Sequence, residues 1–163
     1  MNDIMSETKQ YQEGVMKNRR KKVIIIIGLI IGCIIFVKWY SNPERRIFAM
    51  VERNVEEYEI AAQLMLNGEI FASGVDVPGV RDVHVRKGEH VVVDFFVTGY
   101  GLAPSGGYYG FYYSPEDIPV MNMDRMAKLT EYETGAWTWQ GVGDNDGVIK
   151  KIMDGWYYYE ATF

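Results

Sequence analysis

The chain has 163 residues, with 17 Lys and Arg against 22 Asp and Glu, a formal net charge of −5, two histidines and one cysteine. A single cysteine closes no disulfide within the chain, and two histidines are too few for a zinc site unless other ligands are placed beside them. Residues 1–40 hold seven Lys/Arg and three Asp/Glu, a net +4, whereas residues 41–163 hold ten and nineteen, a net −9. That acidic segment is poorly suited to nucleic acid, which is held by positive charge that displaces counterions.

In chain order, residues 1–22 read as a short basic tail, and Val23–Val37 as fifteen uncharged residues rich in Ile. A helix of that length covers about 22 Å, short of a hydrocarbon core of about 30 Å. Trp39 and Tyr40 extend it with interfacial side chains, and Lys22 and Lys38 can run their stems along apolar surface. The flanks therefore complete a transmembrane anchor over residues 23–40. Lys17, Arg19, Arg20, Lys21 and Lys22 outweigh the charge after the run, which predicts a cytoplasmic N-terminus and an extracytoplasmic C-terminal segment. No small-residue cleavage site follows the run. Ile30-Ile31-Gly32-Cys33 resembles a bacterial lipobox, so lipid attachment through Cys33 is the alternative anchor, although the apolar run continues past it through Val37. The Gly/Phe/Glu junction of a type IV prepilin is missing. Either anchor ties residues 41–163 to the outside of a cell membrane.

Ser41 or Asn42 is placed to cap a helix, with Pro43 in its first turn. Ile47, Val51, Val55, Tyr58, Ala62 and Met65 then form one apolar stripe, and Gly68 stops it. Strands follow. Val83 and Val85 alternate with Asp82, His84 and Arg86; a turn at "RKGE" leads to Val91, Val93, Phe95 and Val97. "GGYYGFYYS", "AWTWQGV" and "WYYYEATF" continue a meander punctuated by "DNDG" and Asp154-Gly155, both hairpin signals. The predicted fold is α+β, one amphipathic helix packed on a mainly antiparallel sheet of about five or six strands. In element order alone it resembles cystatin-like and related helix-on-sheet folds.

No motif specifies chemistry. His84 and His90 flank the first turn and are the only candidates for a general base, but as metal ligands they lack company. "GDNDG" at Gly143–Gly147 begins like a calcium loop, yet Met153 stands where the closing Glu belongs. Ser73, Ser105 and Ser114 lie in Gly/Pro contexts without a nucleophile elbow, and the glycine-rich stretches lack the Lys of a phosphate loop. No cofactor or metal is expected. The function this supports is a membrane-anchored extracytoplasmic interaction module of a bacterial-type envelope; a small envelope enzyme using His84 or His90 is the alternative. Oligomeric state is not specified.

The aromatic strands supply the candidate surface. Glu160 and Thr162 alternate with Tyr159 and Ala161, so their set, with Trp156 and Tyr158, is predicted to face away from the helix. The outward face then shows Tyr108, Tyr112, Trp156 and Tyr158, joined by Phe96, while Trp137 and Trp139 point inward. Such a patch suits an extracytoplasmic protein or peptide. The competing reading is that the long loop Pro115–Gly135, with Met121, Met123 and Met126, folds over this face and buries it.

Overall fold

In the computed structural model, which describes residues 26–33, 42–69, 76–102, 105–121 and 127–163, the chain divides into two units, Met1–Asn42 and Pro43–Phe163. In the first, residues 26–33 are helical (α1) and exposed, Cys33 included. Among the described residues no helix is long and apolar enough to cross a membrane. The expected basic tail lies outside the described residues, as do 23–25 and 34–40 of the expected anchor.

The second unit is α+β. Helix α2 (Pro43–Leu66) precedes β1 (Asp82–Arg86), β2 (Val92–Leu102), β3 (Ser105–Tyr113), β4 (Thr130–Glu133), β5 (Ala136–Gln140), β6 (Asp146–Met153) and β7 (Trp156–Thr162). These seven strands form one antiparallel sheet in the order β1-β2-β3-β7-β6-β5-β4. Seven replaces the expected five or six. One strand that the sequence hid is β4, whose residues are all exposed and include Glu131 and Glu133. A short charged edge strand carries no apolar alternation to announce it.

Helix α2 starts at Pro43 and buries Ile47, Val51, Tyr58, Ala61, Ala62 and Met65. Val55 of the expected stripe is only half-buried. The cause lies next to it: Asn54 departs from helical geometry (φ −121°, ψ 24°), and its side-chain amide donates to the Met50 carbonyl at 2.9 Å. That bond competes with the helix ladder and turns the stripe. At the far end Gly68 adopts φ 72°, its N–H donates to Met65 O at 3.2 Å, and Glu69 N–H donates to Leu64 O at 3.0 Å. This pair of bonds satisfies the last carbonyls of the helix.

The core has two parts because both faces of the sheet are covered. Beneath α2, Val83, Val93, Phe95, Phe111, Trp156 and Tyr158 pack with the helix stripe. The Phe95 and Phe111 rings stack at 4.8 Å, and Tyr58 reaches into them, 4.9 Å from Phe111, while its hydroxyl donates to Pro78 O at 2.6 Å. On the far face Val92, Tyr112, Ile149, Tyr157 and Tyr159 pack against Val120, Leu129 and Trp137. Two sequence expectations are reversed here. Trp156 and Tyr158 face α2 rather than away from it, and Trp137 lies on the far face rather than inward under the helix. Trp139 follows Trp137, since its indole lies over Gly147, the partner that β6 sets opposite it. The reason is the position of β7. It inserts between β3 and β6 in the middle of the sheet, so Trp156, Tyr157, Tyr158 and Tyr159 are all buried. A strand covered on both sides has no polar alternation to read. Glu160 and Thr162, which suggested the orientation, sit half-buried at its end.

Candidate functional site

Among the described residues, the charged side chain that is fully buried is Asp94, on the far face. Asp94, 1 % exposed, sits on β2 amid "VVVDFF". Pairing with β1 and β3 sets it opposite His84 and Tyr112. Burying a carboxylate is costly unless it is paired and hydrogen-bonded, and Asp94 is both. The Arg86 Nε lies 3.5 Å from its Oδ2, and the Tyr159 hydroxyl donates to its Oδ1 at 3.0 Å. Tyr159 comes from two strands away and reaches Asp94 across Gly110, where an added Cβ would stand 2.5 Å from the Tyr159 hydroxyl oxygen. Gly110 is therefore the opening through which the bond passes.

Arg86 connects this pair to the covering segment. Its Nη1 donates to Met121 O at 2.8 Å, and its guanidinium lies 5.8 Å from the centre of the Tyr112 ring. Burial pulls the Arg86 pKa below its ordinary value, with Asp94 opposing the shift; guanidinium stays charged in any accessible range. Tyr112 stacks on Tyr157 at 5.2 Å and accepts the Val120 N–H at 2.8 Å. Burial raises its hydroxyl well above the ordinary tyrosine value.

The covering segment is pinned further along. Ser114 Oγ donates to Ile118 O at 2.9 Å and accepts the Ile118 N–H at 3.2 Å. Asp117, at φ 54°, binds Lys151 Nζ at 2.6 Å and accepts from Gly155 N–H at 2.8 Å and the Tyr157 hydroxyl at 2.9 Å. Lys151, then the Gly155 amide, hold the Asp117 carboxyl down to about 2.

Between this segment and the β1–β2 turn opens a groove of about 860 Å³. Arg86, Lys87, His90 and Lys128 line it, against Glu89 as the one acidic side chain among the lining residues. Val92, Ile118, Val120, Met121 and Leu129 supply apolar wall. His90 Nδ1 stands 2.8 Å from Glu116 Oε2, bridging turn and covering segment. The groove is cationic on a unit of net charge −9. Among the described residues that line it there is no Ser, Thr, Cys or Tyr. What it offers is charge, an imidazole, apolar wall and backbone.

The residues singled out in the sequence are not brought together. Tyr112 is fully buried on the far face, and Trp156 and Tyr158 are buried under α2 on the other. Tyr108 alone is exposed, at 37 %, beside Phe96 at 6.1 Å and Phe163 at 5.7 Å. For the described residues, the loop after Pro115 does fold over the far face; Met123 and Met126 lie outside them. His84 is exposed, its Nδ1 3.8 Å from Asp82 Oδ2. Of residues 143–147, the first three lie in the β5–β6 turn, closed by Gly141 N–H donating to Asn145 O at 2.8 Å, and Asp146 and Gly147 open β6. Among the described residues no three His, Cys, Asp or Glu are grouped to hold a metal. Sequence reasoning missed Arg86 and Asp94. The signal was a charge inside an apolar strand with an Arg across the preceding hairpin turn. No protein-family model matches the chain, and no curated protein or solved structure matches it.

Proposed function

We propose that the chain is a membrane-anchored, extracytoplasmic interaction module whose groove receives an acidic segment of a partner protein or peptide. The observation that supports it is the groove lined by Arg86, Lys87 and Lys128, against Glu89 alone, on an otherwise acidic unit. Positive charge lining a cleft with low-dielectric walls focuses the field toward anionic side chains and disfavours cationic ones at that spot. Bonds of Arg86 to Asp94 and Met121 hold one lining side chain of the groove in place, and the apolar wall supplies contact area. The basic tail and apolar run of residues 1–40 tether it to a membrane, with lipidation at Cys33 as the alternative tether.

The rim pair His90–Glu116 favours a second reading, an envelope enzyme, because a carboxylate-oriented imidazole can act as a base toward water. One experiment separates the two. Full-length protein is extracted in detergent with its partners, as wild type, Lys87→Glu/Lys128→Glu and His90→Gln. The interaction reading expects the charge-reversed variant, folded by circular dichroism, to lose its co-purifying protein, and His90→Gln to keep it. An unchanged partner profile in the charge-reversed variant refutes the groove as the docking site.

A further inference from the structure

The two outer edges of the sheet carry opposite charge. Among the described residues β1 and β4 each have a strand neighbour on one side only, so each presents an open row of backbone donors and acceptors. Residues 81–87 hold Arg81, Arg86 and Lys87 against Asp82, a net +2 with His84 neutral. Residues 129–135 hold Glu131 and Glu133 without a cation, a net −2. All of β4 is exposed, Tyr132 at 53 %. Neither strand contains proline, which would remove a donor from the ladder of an added strand.

Side chains fix which faces would meet. His84 and Arg86 lie opposite Asp94 and Val92, so they stand on the far face, where Arg86 and Lys87 line the groove. At the other edge Glu131 pairs with Trp137, also a far-face residue, and one of its carboxylate oxygens accepts the Gly135 N–H at 3.2 Å. Every neighbouring pair in the order β1-β2-β3-β7-β6-β5-β4 is antiparallel, so six reversals leave β1 and β4 running in the same sense. A second copy that sets its β4 beside this β1, far face continuing far face, therefore pairs the two strands in parallel. Its Glu131 then stands on the groove side, with Arg86 and Lys87.

We propose that the acidic segment received at the groove is the Glu131–Glu133 edge of a second copy of this chain, added as a strand to β1. This inference rests on the groove reading above and names its partner. Like edges are poor matches. Setting β1 against β1 places net +2 against +2, and β4 against β4 places −2 against −2, and like charges placed opposite one another destabilise a strand pair. Only the unlike edges attract. With five and four residues the two strands add few backbone bonds, so charge decides which edges pair. Each copy holds one edge of each kind, so the contact is head-to-tail and extends into a row of copies or closes a ring.

The test uses full-length protein carrying Cys33→Ser in detergent. One preparation bears His84→Cys on β1; a second, with a different affinity tag, bears Tyr132→Cys on β4; both are treated with a short bismaleimide. The mixture is expected to give a covalent dimer carrying both tags, several-fold above the like dimers of either preparation alone. Lys87→Glu/Lys128→Glu in the first preparation is expected to abolish that dimer, and so is Glu131→Lys/Glu133→Lys in the second. Mixing the two reversed preparations, each folded by circular dichroism, should restore it. Like dimers as abundant as mixed ones overturn the inference, as does a mixed dimer that survives either reversal alone. No mixed dimer, with another co-purifying protein still released by Lys87→Glu/Lys128→Glu, overturns this inference and leaves the groove reading standing. Absence of both removes the groove reading, and this inference with it.

Discussion

Replacing Asp94 by Asn removes one charge from behind Arg86 while keeping shape and an acceptor for the Tyr159 hydroxyl. It therefore isolates the ionic part of the cluster. Breaking a buried pair by removing one partner costs about 3–5 kcal/mol when the remaining charge is fully enclosed. Arg86 keeps 23 % of its side chain exposed, so solvent meets part of that cost and about 2–4 kcal/mol remains. Asp94→Asn is measured by urea unfolding at pH 7, followed by tryptophan fluorescence, in a fragment beginning at Ser41. That fragment contains no cysteine and is expected to fold without oxidant or reductant. With a mid-range slope of about 2 kcal/mol per molar urea, the midpoint falls by roughly 1–2 M. The double variant Arg86→Met/Asp94→Leu removes both charges but leaves the Tyr159 hydroxyl without its acceptor, so it is expected to lose about 1–3 kcal/mol, well under the sum of the two single variants. A loss below about 1 kcal/mol in the single variant, on that same scale, would refute the claim that Asp94 balances Arg86. So would a double variant as damaged as the sum of the two single ones.

Gly110→Ala is expected to destabilise the same fragment by at least about 2–3 kcal/mol, because the added methyl meets both the Tyr159 hydroxyl and the Phe95 carbonyl at 2.5 Å; Tyr159→Phe should relieve only the first of these. Asp117 has a folded pKa depressed to about 2, so its contribution is complete above its unfolded value near 3.8 and is lost as pH falls through 2. Asp117→Asn should accordingly flatten the loss of stability between those values, as read by unfolding at a series of pH, and an unchanged profile would mean its bonds to Lys151 and Gly155 contribute little. Val51→Asp places a charge at a fully buried position under the sheet and should abolish cooperative unfolding, whereas Val55→Asp, half-buried past the Asn54 distortion, should be milder.

The parts of the fold that showed in the sequence were those where one side is wet. The α2 stripe, its Gly68 stop and the helix-facing Val83 and Val85 declared themselves by alternation against polar neighbours. The central strand did not. Trp156–Tyr159 is aromatic on both sides, so its two faces could be told apart only by their partners: Trp156 and Tyr158 find α2, Tyr157 finds Asp117 and Trp137. A four-residue charged edge such as Thr130–Glu133 is silent for the opposite reason, since nothing in it is buried. The candidate site was hidden by distance along the chain. Asp94 and Tyr159 lie 65 residues apart, and their meeting depends on β7 inserting beside β3, which no local pattern specifies.

The central claim is that the groove faces the outside of the cell on a chain held by its N-terminal segment. The most direct measurement labels intact cells that express full-length Cys33→Ser/Glu89→Cys with a membrane-impermeant maleimide. The account predicts full labelling before lysis, with the labelled chain recovered in the membrane fraction. Labelling that appears only after lysis, or a labelled chain in the soluble fraction, would contradict it.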